Sequence, residues 1–363
     1  MARPDVLLVS LGTTLGWRVA DAMLLAQLER AGASTEAVAV ARGAADRLRR
    51  GYPLNDLVEM HAARRAVRTA VERHEPRALI VSSTTASMLL PALPVPYAVR
   101  FDAPARLNRP GARNALLRAL ERRAMSRARL TIPFSPAGGE ALPDGAAAPI
   151  VVSPPIDPSG MPAEPNARER LAVAYTPDAK AKGLDVVVAG WAAAAVPDAR
   201  LEVYGIDPDV ARGHLDRTGV ALPETVELRG TVGAGEFRER LRHALAYVAG
   251  ARWEDWGQAP LEALADGALL ATVPSGGPYE GLRLARQLDQ SLVADRIEGA
   301  ALAVAIRAAF GLPDERIRAY RERAAELVRP FRSEAVQETV TNELLPALLA
   351  PTPPRPPAAG GAR

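Results

Sequence analysis

Residues Ala246–Val273 read AYVAGARWEDWGQAPLEALADGALLATV, and this stretch decides the fold. It opens on one short apolar run, Ala246–Ala249, and closes on another, Leu269–Val273, each of buried-strand length. Between them Pro260 suits the first turn of a helix and Gly267 its C-terminal cap. Strand, loop, helix and strand in this order make a crossover unit of a parallel sheet. Glu254 falls in the loop, and Glu262 falls in the first helical turn with its side chain directed back toward the helix start. Both carboxylates then face one ligand at the carboxyl edge of the sheet. A carboxylate accepting from two vicinal hydroxyls reads a ribose or a sugar. The plainer alternative is a capping Glu262 and an exposed Glu254.

The same alternation runs outward in both directions. Strands are expected at Asp5–Leu11, Glu36–Ala41, Ala78–Ser82, Tyr97–Phe101 and Arg129–Pro133, with helices such as Arg18–Ala31 and Leu57–His74 between them. After a Gly-, Pro- and Ala-dense break from Gly138 to Pro165, strands resume at Leu171–Tyr175, Arg200–Tyr204, Val226–Leu228, Ala246–Ala249, Leu269–Val273 and Ser291–Val293. Two doubly wound domains follow, roughly 1–150 and 151–330, with ligands at the carboxyl ends of their strands. A last helix over 331–350 is expected to return to the first domain, and 351–363 to form a disordered Pro-rich tail.

Composition narrows the function. Apolar residues make up 48% and charged residues 24% of the 363, which excludes a disordered chain. There is no cysteine, so disulfides and cysteine-bound metals are excluded, and the four histidines show no metal-ligand spacing. No apolar run approaches the ~20 residues of a membrane span. Val6–Leu11 is followed at once by Gly12 and Thr13, so no secretory leader is read and a cytoplasmic protein is expected. Residues 1–150 carry a net +8 and residues 151–363 a net −5. The basic part either meets something anionic or merely presents solvated helix faces. Of 45 basic residues only Lys180 and Lys182 are lysine, both in one short segment, which marks a place for a compact ammonium.

The string Glu254-Asp255-Trp256-Gly257, followed by Glu262-Ala263 and Gly267, resembles the family-4 retaining glycosyltransferases of the GT-B class. That resemblance implies two Rossmann-like domains facing across a cleft. It also implies transfer of a sugar, with retention, from a nucleotide-diphosphate donor to an acceptor held mainly by the first domain. By the same resemblance Glu254 lies at the donor sugar, and Glu262 and Gly257 belong to the nucleotide site. Lys182-Gly183-Leu184-Asp185 matches the family's Lys-Gly-Leu-Asp, whose lysine contacts the diphosphate. Thr176 and Pro177 stand where the family usually has an arginine, and Lys180 is expected to supply that second charge. Val151–Pro158 is similar to the segment entering the second domain, with Pro154-Pro155 in place of the usual Asn-Gly. Val226–Gly230 resembles the strand and glycine beside the nucleobase, and Ser275-Gly276-Gly277 the glycine turn after the glutamate helix. Gly12 and Gly16 fall where the family's glycines approach the donor phosphates.

Where the family commonly carries a histidine, this chain reads Tyr97–Asp102. Asp102 either bonds a sugar hydroxyl or pairs with Arg100. No metal and no cofactor beyond the nucleotide-sugar is implied, nor is a nucleic-acid partner. The acceptor is left open among a glycan, a lipid-linked sugar and a small molecule. The apolar and basic faces of Leu116–Arg129 suggest a peripheral contact with the anionic inner face of the plasma membrane, against ordinary packing on the sheet. Asp207-Pro208-Asp209 has metal-binding spacing but reads better as a helix cap, and Trp256 reads better as a packed ring than as a base-stacking one. The rival functions are another GT-B enzyme, such as a nucleotide-sugar epimerase, and a catalytically idle nucleotide-sugar-binding protein.

Overall fold

The short β-branched runs form two separate parallel sheets. The computed structural model describes residues 3–12, 14–41, 54–161 and 168–351; the Pro-rich 352–363 lie outside the described residues. The chain divides into two units, one of residues 1–152 with 337–363 and one of residues 153–336.

Unit 1 holds β1 (Val6–Ser10), β2 (Thr35–Ala39), β3 (Ala78–Ser82), β4 (Tyr97–Phe101) and β5 (Leu130–Pro133), in the spatial order β2-β1-β3-β4-β5. Every pairing is parallel, with Val6 opposite both Thr35 and Ala78. β1, β3 and β4 are apolar along nearly their whole length because helices cover both faces. The chain leaves β1 to one side for β2 and to the other for β3, which puts a topological switch point between β1 and β3.

Unit 2 holds β6 (Glu169–Tyr175), β7 (Arg200–Tyr204), β8 (Val226–Gly230), β9 (Ala244–Ala249) and β10 (Leu269–Thr272), in the order β10-β9-β6-β7-β8. All are again parallel. Its switch point lies between β6 and β9.

Three expectations need correction. Ser291–Val293 is not a strand: Asp289 accepts from the amide and hydroxyl of Ser291 and winds Gln290–Leu292 into a 3-10 turn, leaving Val293 one isolated bridge to Thr272. The last helix is not uniform. It runs as α over Ser333–Thr339, widens to a π turn over Val340–Leu344, and resumes over Leu345–Leu349. Pro346 has no amide to give and crowds the preceding turn, which accounts for the widening. Third, the helix carrying Glu262 begins at Gln258, so Glu262 is its fifth residue and opens the second turn.

The basic helix Ala115–Arg127 uses its apolar face in the core of unit 1, where Leu117, Ala124 and Met125 are buried. Leu116 is exposed together with Arg122, Arg123 and Arg127. Among the described residues, no helix is long and apolar enough to cross a membrane.

Candidate functional site

Two loops meet at the β6/β9 switch point. After β6, the carboxylate of Asp178 accepts from the amide of Ala181, and Lys182 donates its amide to the carbonyl of Asp178. This tight turn ends at Gly183 in the left-handed region, φ +63°, which starts the helix Leu184–Ala194. A β-carbon on Gly183 would fall on the carbonyl oxygen of Gly250, just beyond β9, so only glycine lets the two loops come this close. The amide of Arg252 then donates to Ala181, and its guanidinium spans both oxygens of Asp185 at 3.0 and 2.6 Å. Asp185 thus clamps the lysine loop to the glutamate loop.

That clamp sets Lys182 against Glu254. The ammonium donates to both carboxylate oxygens at 2.7 Å. Burial pushes the Glu254 carboxyl up from its ordinary range, and the Lys182 ammonium opposes the shift. Asp255 is also pushed up by burial, while the indole of Trp253 donates to it at 2.7 Å. The glycine turn abuts the same loop: the Glu254 amide donates to Gly276, and a β-carbon on Gly277, φ +95°, would strike the Glu254 carbonyl.

Glu262 projects from the helix Gln258–Ala265, which Gly257 caps at φ +79°. The Gln258 amide donates to Glu262 at 3.0 Å, and Arg238 stands 3.6 Å away. Burial raises the Glu262 carboxyl and Arg238 opposes this. Two observations place Glu262 and Glu254 in one region. The buried phenol of Tyr247 is pushed well up, first by burial and then by the neighbouring Tyr279, Glu254 and Glu262 among other groups. A β-carbon on Gly257 would lie 3.2 Å from Cγ of Glu254. Tyr175, at the end of β6, is likewise raised by burial and then by Glu262, with Lys182 opposing.

The structure therefore brings together Lys182, Glu254, Gly257 and Glu262. Lys180 sits on the same loop with an exposed side chain, its carbonyl accepting from Arg252. Gly230 ends β8, two strands from β6, with φ +74° and its carbonyl taking the amide of Gly205. Gly12, Gly16 and Asp102 belong to unit 1. Gly12 follows β1 at φ +53°, Gly16 is an exposed second residue of the helix Leu15–Arg30, and Asp102 follows β4. The Arg100 guanidinium is bound to Asp21 at 2.6 Å, and after Asp21 the charge of Asp102 also opposes the lowering that burial imposes on it. Asp207 caps the helix Pro208–Thr218 by accepting from Asp209 and Val210. Trp256 is packed edge-on against Phe331, ring centroids 5.3 Å apart.

Sequence reading missed Arg238 and Asp266. Arg238 grips the fully buried Asp266 at 2.6 and 3.0 Å, and Asp266 also takes the amide and hydroxyl of Ser159. Arg238 is one of 43 arginines, and no local pattern sets it apart.

No family model matches the sequence, and no curated protein matches it. Solved structures do. Sucrose-phosphate synthase from Thermosynechococcus elongatus superposes with a TM-score of 0.71 at 16% identity, over 92% of this chain and 96% of that one. An α,α-trehalose-phosphate synthase (UDP-forming) from Burkholderia vietnamiensis gives 0.70 at 12%, over 94% and 99%. Anabaena HepE, solved with UDP and glucose, gives 0.65 at 14%, over 94% and 99%. With two all-parallel doubly wound sheets in the observed strand orders, the chain has the fold of the GT-B glycosyltransferases.

Proposed function

We propose that the protein is a glycosyltransferase that takes a sugar from a nucleotide-diphosphate donor, with retention and without a metal, and that unit 2 is its donor-binding unit. The observation that carries this reading is the convergence of Lys182, Glu254 and Glu262 at the β6/β9 switch point, where doubly wound sheets bind nucleotides. An ammonium has three donors. Two go to Glu254, and the third is left for a diphosphate oxygen, where positive charge stabilises the departing nucleotide. Lys180 adds charge from the same loop. Glu254 lies by the donor sugar, Glu262 accepts from the ribose hydroxyls, Gly257 starts the helix that presents Glu262 to the nucleotide, and Gly230 leaves room for the backbone to approach it. Asp102 and the turn at Gly12 and Gly16 serve the reaction from unit 1. Uridine is the first base to test, because HepE was solved with UDP and the Burkholderia enzyme is UDP-forming.

The test is to incubate the full chain with UDP-glucose and neutral sugar or polyol acceptors and to follow products by NMR. An α-glycoside formed together with UDP is expected. Epimerised donor, or tight UDP-sugar binding with no product on any acceptor, contradicts the proposal.

A further inference from the structure

Unit 1 gathers positive charge on one face. The helices Leu54–His74 and Ala115–Arg127 cover the same side of its sheet: Met60 and Leu117 share one buried cluster, and Val67 and Met125 share another. With those rows turned inward, the opposite rows point outward together. Arg64, Arg65 and Arg68 stand exposed on the first helix, and Arg122, Arg123 and Arg127 on the second. Among the described residues, only Arg68 of these six has an acidic partner, Glu72 at 3.9 Å. Glu121, the one carboxylate of Ala115–Arg127, is buried and accepts from the Ala105 amide.

An arginine-rich composition does not account for this face. The helix Asp314–Val328 of unit 2 also carries four arginines, but with four carboxylates, and Arg323 pairs with Glu326. Leu15–Arg30, in unit 1, has two of each. Ala115–Arg127 sets four arginines against its one inward glutamate.

The same two helices also expose apolar groups. Among the described residues of unit 1, the large apolar side chains left exposed are Leu54, Leu57 and Leu116, at 49%, 42% and 70%. All three lie in the first turn of one helix or the other. Both helices run back against parallel strands, so both start at the carboxyl edge of the sheet. Arg109, in the segment leading to the second helix, bonds Asp56 in the first turn of the first at 2.8 Å. The leucines therefore lie at the same end of the arginine rows. That combination suits a lipid surface. Arginines attract anionic headgroups, and leucines enter the boundary between headgroup and acyl chain. It suits a nucleic acid less well, because single strands are held by aromatic stacking and neither helix carries a Phe, Trp or Tyr.

We propose that this two-helix face docks the protein on an anionic membrane surface. The six arginines lie against the headgroups, and Leu54, Leu57 and Leu116 dip into the apolar boundary. The docking is peripheral and reversible, and it does not depend on the glycosyltransferase reading.

The test is co-sedimentation of the full chain with vesicles of phosphatidylcholine, alone or mixed with phosphatidylglycerol. The mixed vesicles should bind at least about tenfold more tightly, and added salt should weaken that binding. Arg122→Glu/Arg123→Glu should weaken it about a hundredfold or more. The same charge change at the exposed pair Arg318→Glu/Arg323→Glu should cost less than about threefold. Leu116→Ser should cost about tenfold at low and high salt alike, since its contribution is apolar. If circular dichroism shows the Arg122/Arg123 variant unfolded, Arg64→Glu/Arg65→Glu takes its place. No preference for the anionic vesicles, equal losses in the two reversed pairs, or full binding by folded Leu116→Ser overturns the proposal. Displacement of the vesicles by a single-stranded RNA whose own binding survives Leu116→Ser assigns the face to nucleic acid and overturns it as well.

Discussion

Lys182 bonds both carboxylate oxygens of Glu254 at 2.7 Å across 72 residues of sequence. The Glu254 side chain is 13% exposed and that of Lys182 28%, so the glutamate depends on this one cation more than the lysine depends on it. Lys182→Met should therefore cost about 1.5–3 kcal/mol in urea unfolding. The Lys182→Met/Glu254→Gln pair should recover part of the loss. Removal of the ammonium also takes away the main opposition to burial, leaving the Asp255 amide, so the Glu254 carboxyl should titrate still higher. A Lys182→Met variant as stable as wild type contradicts the pairing.

Arg238 and Asp266 make the stronger test of a buried ion pair. Asp266 is fully buried, so Arg238→Met should cost about 3–5 kcal/mol. Arg212 and Asp209 form a similar pair on the surface, with side chains 55% and 93% exposed. Arg212→Met should change stability by less than about 0.5 kcal/mol. Parallel urea titrations of the two variants decide it, and equal losses would refute the difference.

Glu121 predicts a pH dependence of stability. Burial raises its carboxyl from an ordinary 4.5 to about 7, although the Ala105 amide donates to it at 2.8 and 2.9 Å. The folded state holds the proton more tightly than the unfolded chain. Its contribution is thus complete below about pH 4.5 and is lost as pH rises through about 7. Glu121→Gln should remove that decline, worth on the order of 2–3 kcal/mol between pH 5 and 8. The readout is the difference in unfolding free energy between the two proteins at each pH, and a constant difference contradicts the assignment.

Two glycines with similar backbones should respond differently. Gly183 (φ +63°) faces the Gly250 carbonyl, whereas a β-carbon added at Gly219 (φ +70°) would meet nothing within 4 Å. Gly219→Ala should cost about 1 kcal/mol from conformation alone. Gly183→Ala should cost at least twice that and also weaken nucleotide binding, since it displaces the lysine loop. Thermal unfolding of both variants, with UDP titration of the second, checks this.

The strands were legible wherever apolar residues run without interruption, as at Ala78–Ser82 and Tyr97–Phe101, because a parallel strand is buried on both faces. Ser291–Val293 misled because Asp289, an acceptor for local amides, outcompeted the strand. Lys182 and Glu254 stood out as a rare lysine and a patterned glutamate. Their contact was not legible, because it is made by backbone bonds between loops far apart in sequence, such as Arg252 to Ala181. The bonds of Arg238, and those of Ser82 and Arg100 to Asp21, were invisible for the same reason: each is assembled by topology from residues ordinary in their own neighbourhoods.

The central claim is that Glu262 and Lys182 form a nucleotide-diphosphate site in unit 2. Isothermal titration of UDP into the wild-type chain, Glu262→Ala and Lys182→Ala tests it most directly. Micromolar-range binding by wild type is expected, weakened by on the order of 1.5–3 kcal/mol in each variant. The loss in Glu262→Ala should disappear when uridine's ribose is replaced by 2′,3′-dideoxyribose, because the carboxylate then has no hydroxyls to read. Unchanged UDP affinity in both folded variants would contradict the account.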